Sequence, residues 1–149
     1  MKIQFIKSGE KKELLKELNE EFGISNLPFL LFEAGKEKIR AYTGSLSKDE
    51  ILDLAAFTHI EFLGFYLLRK ENIIRLSIEG THSLKEQISK NIINISDSET
   101  IEWFRGLDLQ IKEEKGVKII QNGSDFLGSG ISTGECILNH VPKERRLKN

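Results

Sequence analysis

Residues 126–149, FLGSGISTGECILNHVPKERRLKN, set Gly128, Gly130 and Gly134 close together and follow them with Lys143, Arg145, Arg146 and Lys148. Glycines crowd where backbone amides must approach phosphate oxygens, and basic side chains neutralise phosphate charge, so two chemistries compete for this stretch. One is the phosphate cradle of a nucleotide enzyme, and the other is a grip on a larger polyanion. A P-loop needs four residues between its glycines and then lysine, which faces phosphate, and a hydroxyl residue, which reaches magnesium. Gly130 and Gly134 are separated by three residues, and Glu135 stands where the lysine belongs. A carboxylate there repels phosphate. The dinucleotide fingerprint fails as well, because Gly128-Ser129-Gly130 calls for glycine at position 133, which is Thr133. No long helix can follow, since Asn139, His140 and Pro142 come soon after. What remains is a glycine-bent strand that admits another backbone at close range, with its amides possible docking points for an RNA backbone if they stay accessible.

Other chemistries find little support. Cys136 is the single cysteine, so there is no internal disulfide and no CxxC motif. It reads as a small buried side chain rather than a nucleophile, because no activating base is evident beside it. His59, His82 and His140 are too scattered for a metal site, and no cofactor is implied. No paired acid and base stand out in either half, so the expectation is a protein that is not an enzyme.

The basic tail is the clearest electrostatic feature. Residues 139–149 carry four basic side chains against Glu144, a balance of +3, whereas the other 138 residues hold 18 basic and 22 acidic side chains, a balance of −4. Positive potential gathered at one end suits an anionic partner. Four phosphate contacts would give a salt slope of about −3 on single-stranded RNA, at roughly −0.7 per phosphate. The alternative is a solvated tail that maintains solubility. Arg105 could join the contacts or merely complement a helix dipole. Asn139 and His140 could bond a base or a 2′-hydroxyl, or satisfy backbone at a strand end. Trp103, Phe104 and Phe126 could stack on a base, but beside Ile101 and Leu107 they read as core.

The elements that must position these residues follow from periodicity. MKIQFIK alternates as a strand, and EKKELLKELNEEFG sets Leu14, Leu15, Leu18 and Phe22 on one helical face with Gly23 as the stop. LPFLLFEAGKEKIRAY reads as two strands around a turn. Ser47 and Glu50 form a capping box opening a helix with Ile51, Leu52, Leu54 and Ala55 inward. HIEFLGFYLLRKENIIRLSIEG reads as a hairpin, which completes β-α-β-β-α-β-β over the first 80 residues. Ser83 with Glu86 and Ser96 with Glu99 are two further boxes, the latter opening a short helix through Trp103 that Gly106 ends. NIINIS, LDLQI, VKIIQ, DFLGSG and CILNHV read as short strands of a small, partly closed barrel, with a turn at Asn122 and Gly123. The expected fold class is α+β, divided into residues 1–80 and 81–149.

Hydrophobic residues make up 39% of the chain and charged residues 30%, as in a globular protein with a core. No apolar run is long enough to span a bilayer, and the N-terminus lacks the pattern of a signal peptide, so no membrane partner and a cytoplasmic location are expected. The Asn-x-Ser triplets at Asn94 and Asn122 then carry no glycan.

Residues 103–146 also resemble a known family. WFRGLDLQI, GVKIIQNGSDFLGSG and CILNHVPKERR are similar to the C-terminal PUA-like RNA-binding extension of the Sun (Fmu) type RNA 5-methylcytosine methyltransferases. The matching positions are Trp103, Arg105 and Gly106, then Leu127, Gly128 and Gly130, then Asn139, His140, Pro142, Lys143 and Arg146. The preceding half resembles, in its order of elements, the pre-PUA half of small ribosome-assembly factors. Ile131 stands where family members often carry lysine, which puts one phosphate contact in doubt. The family's methyl transfer needs an S-adenosylmethionine domain and a cysteine nucleophile, for which 149 residues with one cysteine leave no room. The resemblance therefore implies a freestanding PUA-like module after an α+β pre-PUA-like half. The function so implied is binding of structured ribosomal or transfer RNA in ribosome biogenesis or RNA modification, with Arg105, Gly128, Ser129, Gly130, Asn139, His140, Lys143, Arg145, Arg146 and Lys148 as the expected contacts. An RNA methyltransferase or a ribosome-assembly factor is the implied protein partner. Two alternatives stand beside it: a targeting subunit of a separately encoded RNA methyltransferase, and a protein-interaction scaffold that does not bind RNA.

Overall fold

The computed structural model describes residues 2–148 and is α+β, built on two sheets. The first runs in the expected order. Strand β1 (Gln4–Phe5) leads into helix α1 (Ser8–Phe22), which buries Leu14, Leu18 and Phe22, one apolar side chain per turn on a single face. Strands β2 (Leu30–Ala34) and β3 (Lys38–Tyr42) form a hairpin, helix α2 (Lys48–Phe57) follows, and β4 (Phe65–Lys70) and β5 (Ile74–Leu76) close an antiparallel sheet ordered β1-β2-β3-β4-β5.

Helix α3 (Ile78–Ser83) connects this sheet to the second. It begins six residues earlier than the Ser83 and Glu86 pairing predicts: Ser77 is the cap, its hydroxyl accepting from the Gly80 amide, and Ser83 is the helix's last residue. The cap residue that wins is the one whose following turn, Ile78 to Thr81, has a core to enter. In the second sheet β6 (Ile92–Asn94) pairs parallel with β7 (Gly116–Asn122), and β7, β8 (Asp125–Ser132) and β9 (Ile137–Leu138) run antiparallel. Helix α4 (Asp97–Phe104) makes the crossover between β6 and β7. Two expected strands are shorter than their sequences suggest. LDLQI contributes a single bridge, Leu109 to Ile137, and CILNHV pairs only at β9, because Asn139 beyond it spends its hydrogen bonds on a turn.

Strand β7 explains how the halves join. Val117 and Ile119 enter a core shared with α1, the first sheet, Leu84 and Ile88, while Ile120 turns to a second core with Trp103, Leu109, Leu127 and Ile137. A strand covered on both faces reads as a continuous apolar run, which VKIIQ is. Ile78 of the first 80 residues belongs to the second core, and the expected division near residue 80 falls within α3.

Helix α2 departs from expectation. Its capping box forms as predicted, but of the four residues expected to face inward Ile51 is the one buried, while Leu52, Leu54 and Phe57 are exposed. Among the described residues no helix is long and apolar enough to cross a membrane.

Candidate nucleic-acid interface

The candidate residues gather around the end of α4. Ser96 and Glu99 cap its start reciprocally, each side chain accepting from the other's amide at 3.2 and 3.0 Å. Trp103 is fully buried, its indole N–H donating to the Leu127 carbonyl at 2.9 Å. Trp103 is therefore core, with its one polar atom satisfied, and does not stack on a ligand. Arg105 caps the helix in the open, and Gly106 turns the chain with a φ of 86°. An L side chain is strained there, and an added Cβ would sit 2.7 Å from the Arg146 guanidinium nitrogen Nε.

The tail folds back onto this turn. Asn139 is the clamp: its side-chain amide donates to the carbonyls of Trp103 and Leu107 at 2.7 and 2.9 Å, its Oδ1 accepts from the Val141 amide, and its own amide donates to Asp108. Of the two readings open for Asn139, this geometry is the one that satisfies backbone. Arg146 donates to the Val141 carbonyl at 3.0 Å, and the Leu147 amide donates to the Phe104 carbonyl at 2.6 Å. Arg145, in the short 3-10 turn Lys143–Arg145, is ion-paired with Glu79 of α3. The tail is thus structured, and its cations divide. Arg145 and Arg146 hold it in place, whereas Lys143, Lys148 and Arg105 are exposed and without an ion pair among the described residues.

The glycine stretch lies elsewhere. Residues 128–130 are buried where β8 passes α3 and β5. The Gly128 amide donates to Thr81 Oγ1 at 3.2 Å, and the Ser129 hydroxyl donates to the Leu76 carbonyl at 2.8 Å. A Cβ on Gly128, at φ 86°, would come within 3.0 Å of Ile78, and one on Gly130 within 2.5 Å of Ile137. These glycines admit protein, not phosphate, so Gly128, Ser129 and Gly130 shape the site from inside and offer no docking surface. Close packing around a glycine and close approach of a ligand leave the same sequence signature.

His140 is half-buried beside this stretch, and its Nε2 is buried without a hydrogen-bond partner. Burial, reinforced by the nearby Arg75 guanidinium, pushes its pKa down to about 4, so the imidazole is neutral at physiological pH. Together with Arg75 and Tyr66 of the first sheet it lines a cleft between the halves. Sequence reasoning missed both partners. Nothing in FYLLRK or IIRLS distinguishes a cleft residue from an ordinary outward-facing strand residue.

Comparison with known proteins bears on the fold that carries these residues. Residues 90–147 match the family model described as the methyltransferase RsmF PUA domain. The whole fold is similar to a solved structure titled as a conserved PUA domain protein from Thermoplasma acidophilum, with a TM-score of 0.66, 14% identity and 95% of each chain covered. No curated protein matches the chain.

Proposed function

We propose that the protein binds structured RNA, ribosomal or transfer, and serves ribosome biogenesis or RNA modification as a recognition protein rather than an enzyme, a reading supported by the match of residues 90–147 to the RsmF PUA domain model. PUA domains as a class bind RNA, and the matched family segment consists of such a domain alone. The observation that carries the reading is the ordered tail: Lys143, Lys148 and Arg105 stand exposed around the rigid end of α4, held there by Asn139, Arg146 and the Leu147 amide. Cations fixed in place lose less freedom on meeting phosphates than cations on a mobile tail. Arg145 and Arg146 contribute to the potential but first to the architecture, and the unpartnered Nε2 of His140 suits a base edge better than a phosphate.

A second reading, in which the chain directs a separately encoded RNA methyltransferase or a ribosome-assembly factor, draws support from the exposed apolar side chains of the first half. Phe57 is 90% and Phe62 81% exposed. Both readings keep RNA at the tail.

The test is fluorescence-anisotropy binding of transfer RNA and ribosomal RNA fragments across a salt series, comparing the intact chain with the triple variant Arg105→Gln, Lys143→Gln, Lys148→Gln. None of the three anchors the fold. Loss of three phosphate contacts should flatten the slope by about 2 on single-stranded RNA. Equal, weak binding by both proteins would remove the RNA reading and leave the scaffold one.

A further inference from the structure

The cleft between the two halves holds polar groups that the rest of the fold leaves unused. It opens beside α3 as a narrow slot of about 450 Å³, counting the open space at its mouth. Its walls include Ile78, Leu127, Val141 and Pro142, with buried Trp103 behind them.

Three polar side chains converge on it from separate parts of the chain: Tyr66 from β4, Arg75 from β5 and His140 from the segment after β9. Arg75 lies close enough to act electrostatically on both of the others. Among the described residues the Arg75 guanidinium has no ion pair or hydrogen bond, the Tyr66 hydroxyl has no partner, and His140 Nε2 is the one buried side-chain nitrogen or oxygen left unbonded. A buried polar atom without a partner costs about 1–3 kcal/mol, so a site that keeps one is poised for a group that completes it.

We propose that this cleft takes the edge of one unstacked nucleobase from the bound RNA, with Arg75, Tyr66 and His140 meeting its hydrogen-bonding groups. The inference rests on the RNA reading above and adds to it a place where sequence is read. The shape favours a thin ring entering edge first, with its sugar and phosphates left at the mouth. The chemistry suits a neutral ring with polar edges. Apolar walls penalise a dehydrated ion, the rim carboxylate of Glu79 is already paired with Arg145, and the Arg75 guanidinium is left as an unpaired donor facing the ring edge. A base presents polar edges between apolar faces, and the Arg75 fork can donate twice to a base carbonyl and ring nitrogen. Small-molecule sites are built in this way, from apolar walls and a few convergent polar groups.

Trp103, the single tryptophan, stands against the cleft and reports on it. The probes are oligoadenylate, oligocytidylate and oligouridylate of equal length, and an abasic RNA strand of that length that keeps the phosphates. Base-bearing strands should change Trp103 fluorescence and shift the His140 imidazole NMR signals, with the abasic strand bound through the tail but silent at both. Arg75→Lys keeps the charge and loses the fork, and Tyr66→Phe loses one hydroxyl. Each should reduce the affinity difference among the three homopolymers, by about tenfold for Arg75→Lys, with the salt slope unchanged. If base-bearing and abasic strands act alike on Trp103 and His140 while all bind, the cleft inference is overturned and the RNA reading stands. If no strand binds and the triple tail variant behaves as the intact chain, both readings fail together.

Discussion

Helices α2 and α4 open with the same device and end in opposite circumstances. Ser47 with Glu50 and Ser96 with Glu99 form complete capping boxes of near-identical geometry. Helix α4 then buries Trp103 entirely and ends in a turn clasped by Asn139 and Arg146, whereas α2 buries Ile51 alone and presents Leu52, Leu54 and Phe57 to solvent. A cap determines where a helix starts, through local hydrogen bonds, and carries no information about what the helix covers. Covering depends on what arrives from elsewhere in the chain: β8 and the tail reach α4, whereas the outer side of α2 meets solvent. The largest expected effect follows from this contrast. Trp103→Ala should cost about 3–5 kcal/mol, by loss of a fully packed ring and its bond to Leu127, lowering the thermal midpoint by roughly 10 °C. Phe57→Ala, a change of similar kind on the other helix, should stay within about 0.5 kcal/mol and chiefly improve solubility. Calorimetry of the two variants checks the pair, and comparable losses would mean that α2 is covered in solution.

A second expected effect separates the cleft from both helices. His140 has an ordinary pKa near 6.5 in the unfolded chain and about 4 in the fold, so between those values the unfolded state binds more protons. The stability tied to the neutral imidazole is full above about pH 6.5, declines as pH falls toward 4, and changes no further below it. With half the ring open to solvent, the loss is on the order of 1–2 kcal/mol. Urea titrations at pH 7 and pH 4.5 should show a smaller decline for His140→Gln than for the intact chain, and an equal decline would place the titrating group elsewhere.

The sequence made legible what local patterns control. The 3.6-residue spacing of α1, the hairpins of the first half, two of the three capping boxes and the Gly106 stop all stand where periodicity and turn chemistry put them. What it concealed depends on long-range meetings. The inward face of α2 was misassigned because Leu52 and Leu54 satisfy an amphipathic pattern whether or not a partner surface exists. Gly128, Ser129 and Gly130 looked like ligand contacts because the space a Cβ would fill is occupied by Ile78 and Ile137, residues of distant or facing strands and helices. The basic tail was visible as charge, but its division into anchors and exposed cations hangs on Glu79, 66 positions upstream of Arg145. Arg75 carried no signal, since one arginine in a short strand announces neither its burial nor its partners.

The smallest effect expected sharpens the comparison between the two helices best, because it applies one chemical change to both. Removing either cap hydroxyl, Ser47→Ala or Ser96→Ala, costs about 1 kcal/mol in the helix it opens. In α4 that loss must reach the whole fold, since Trp103 and the tail cannot stay packed on a frayed helix. The thermal midpoint should fall, and hydrogen exchange should quicken in α4, β8 and the tail together. In α2 the same loss should remain local, because one buried isoleucine couples the helix weakly to the core. Exchange should quicken at the amides of residues 50–57 with the midpoint unchanged. If Ser47→Ala lowers the midpoint as far as Ser96→Ala, then Ile51 alone ties α2 to the global transition, and the two helices differ in their exposed surface but not in their standing within the fold.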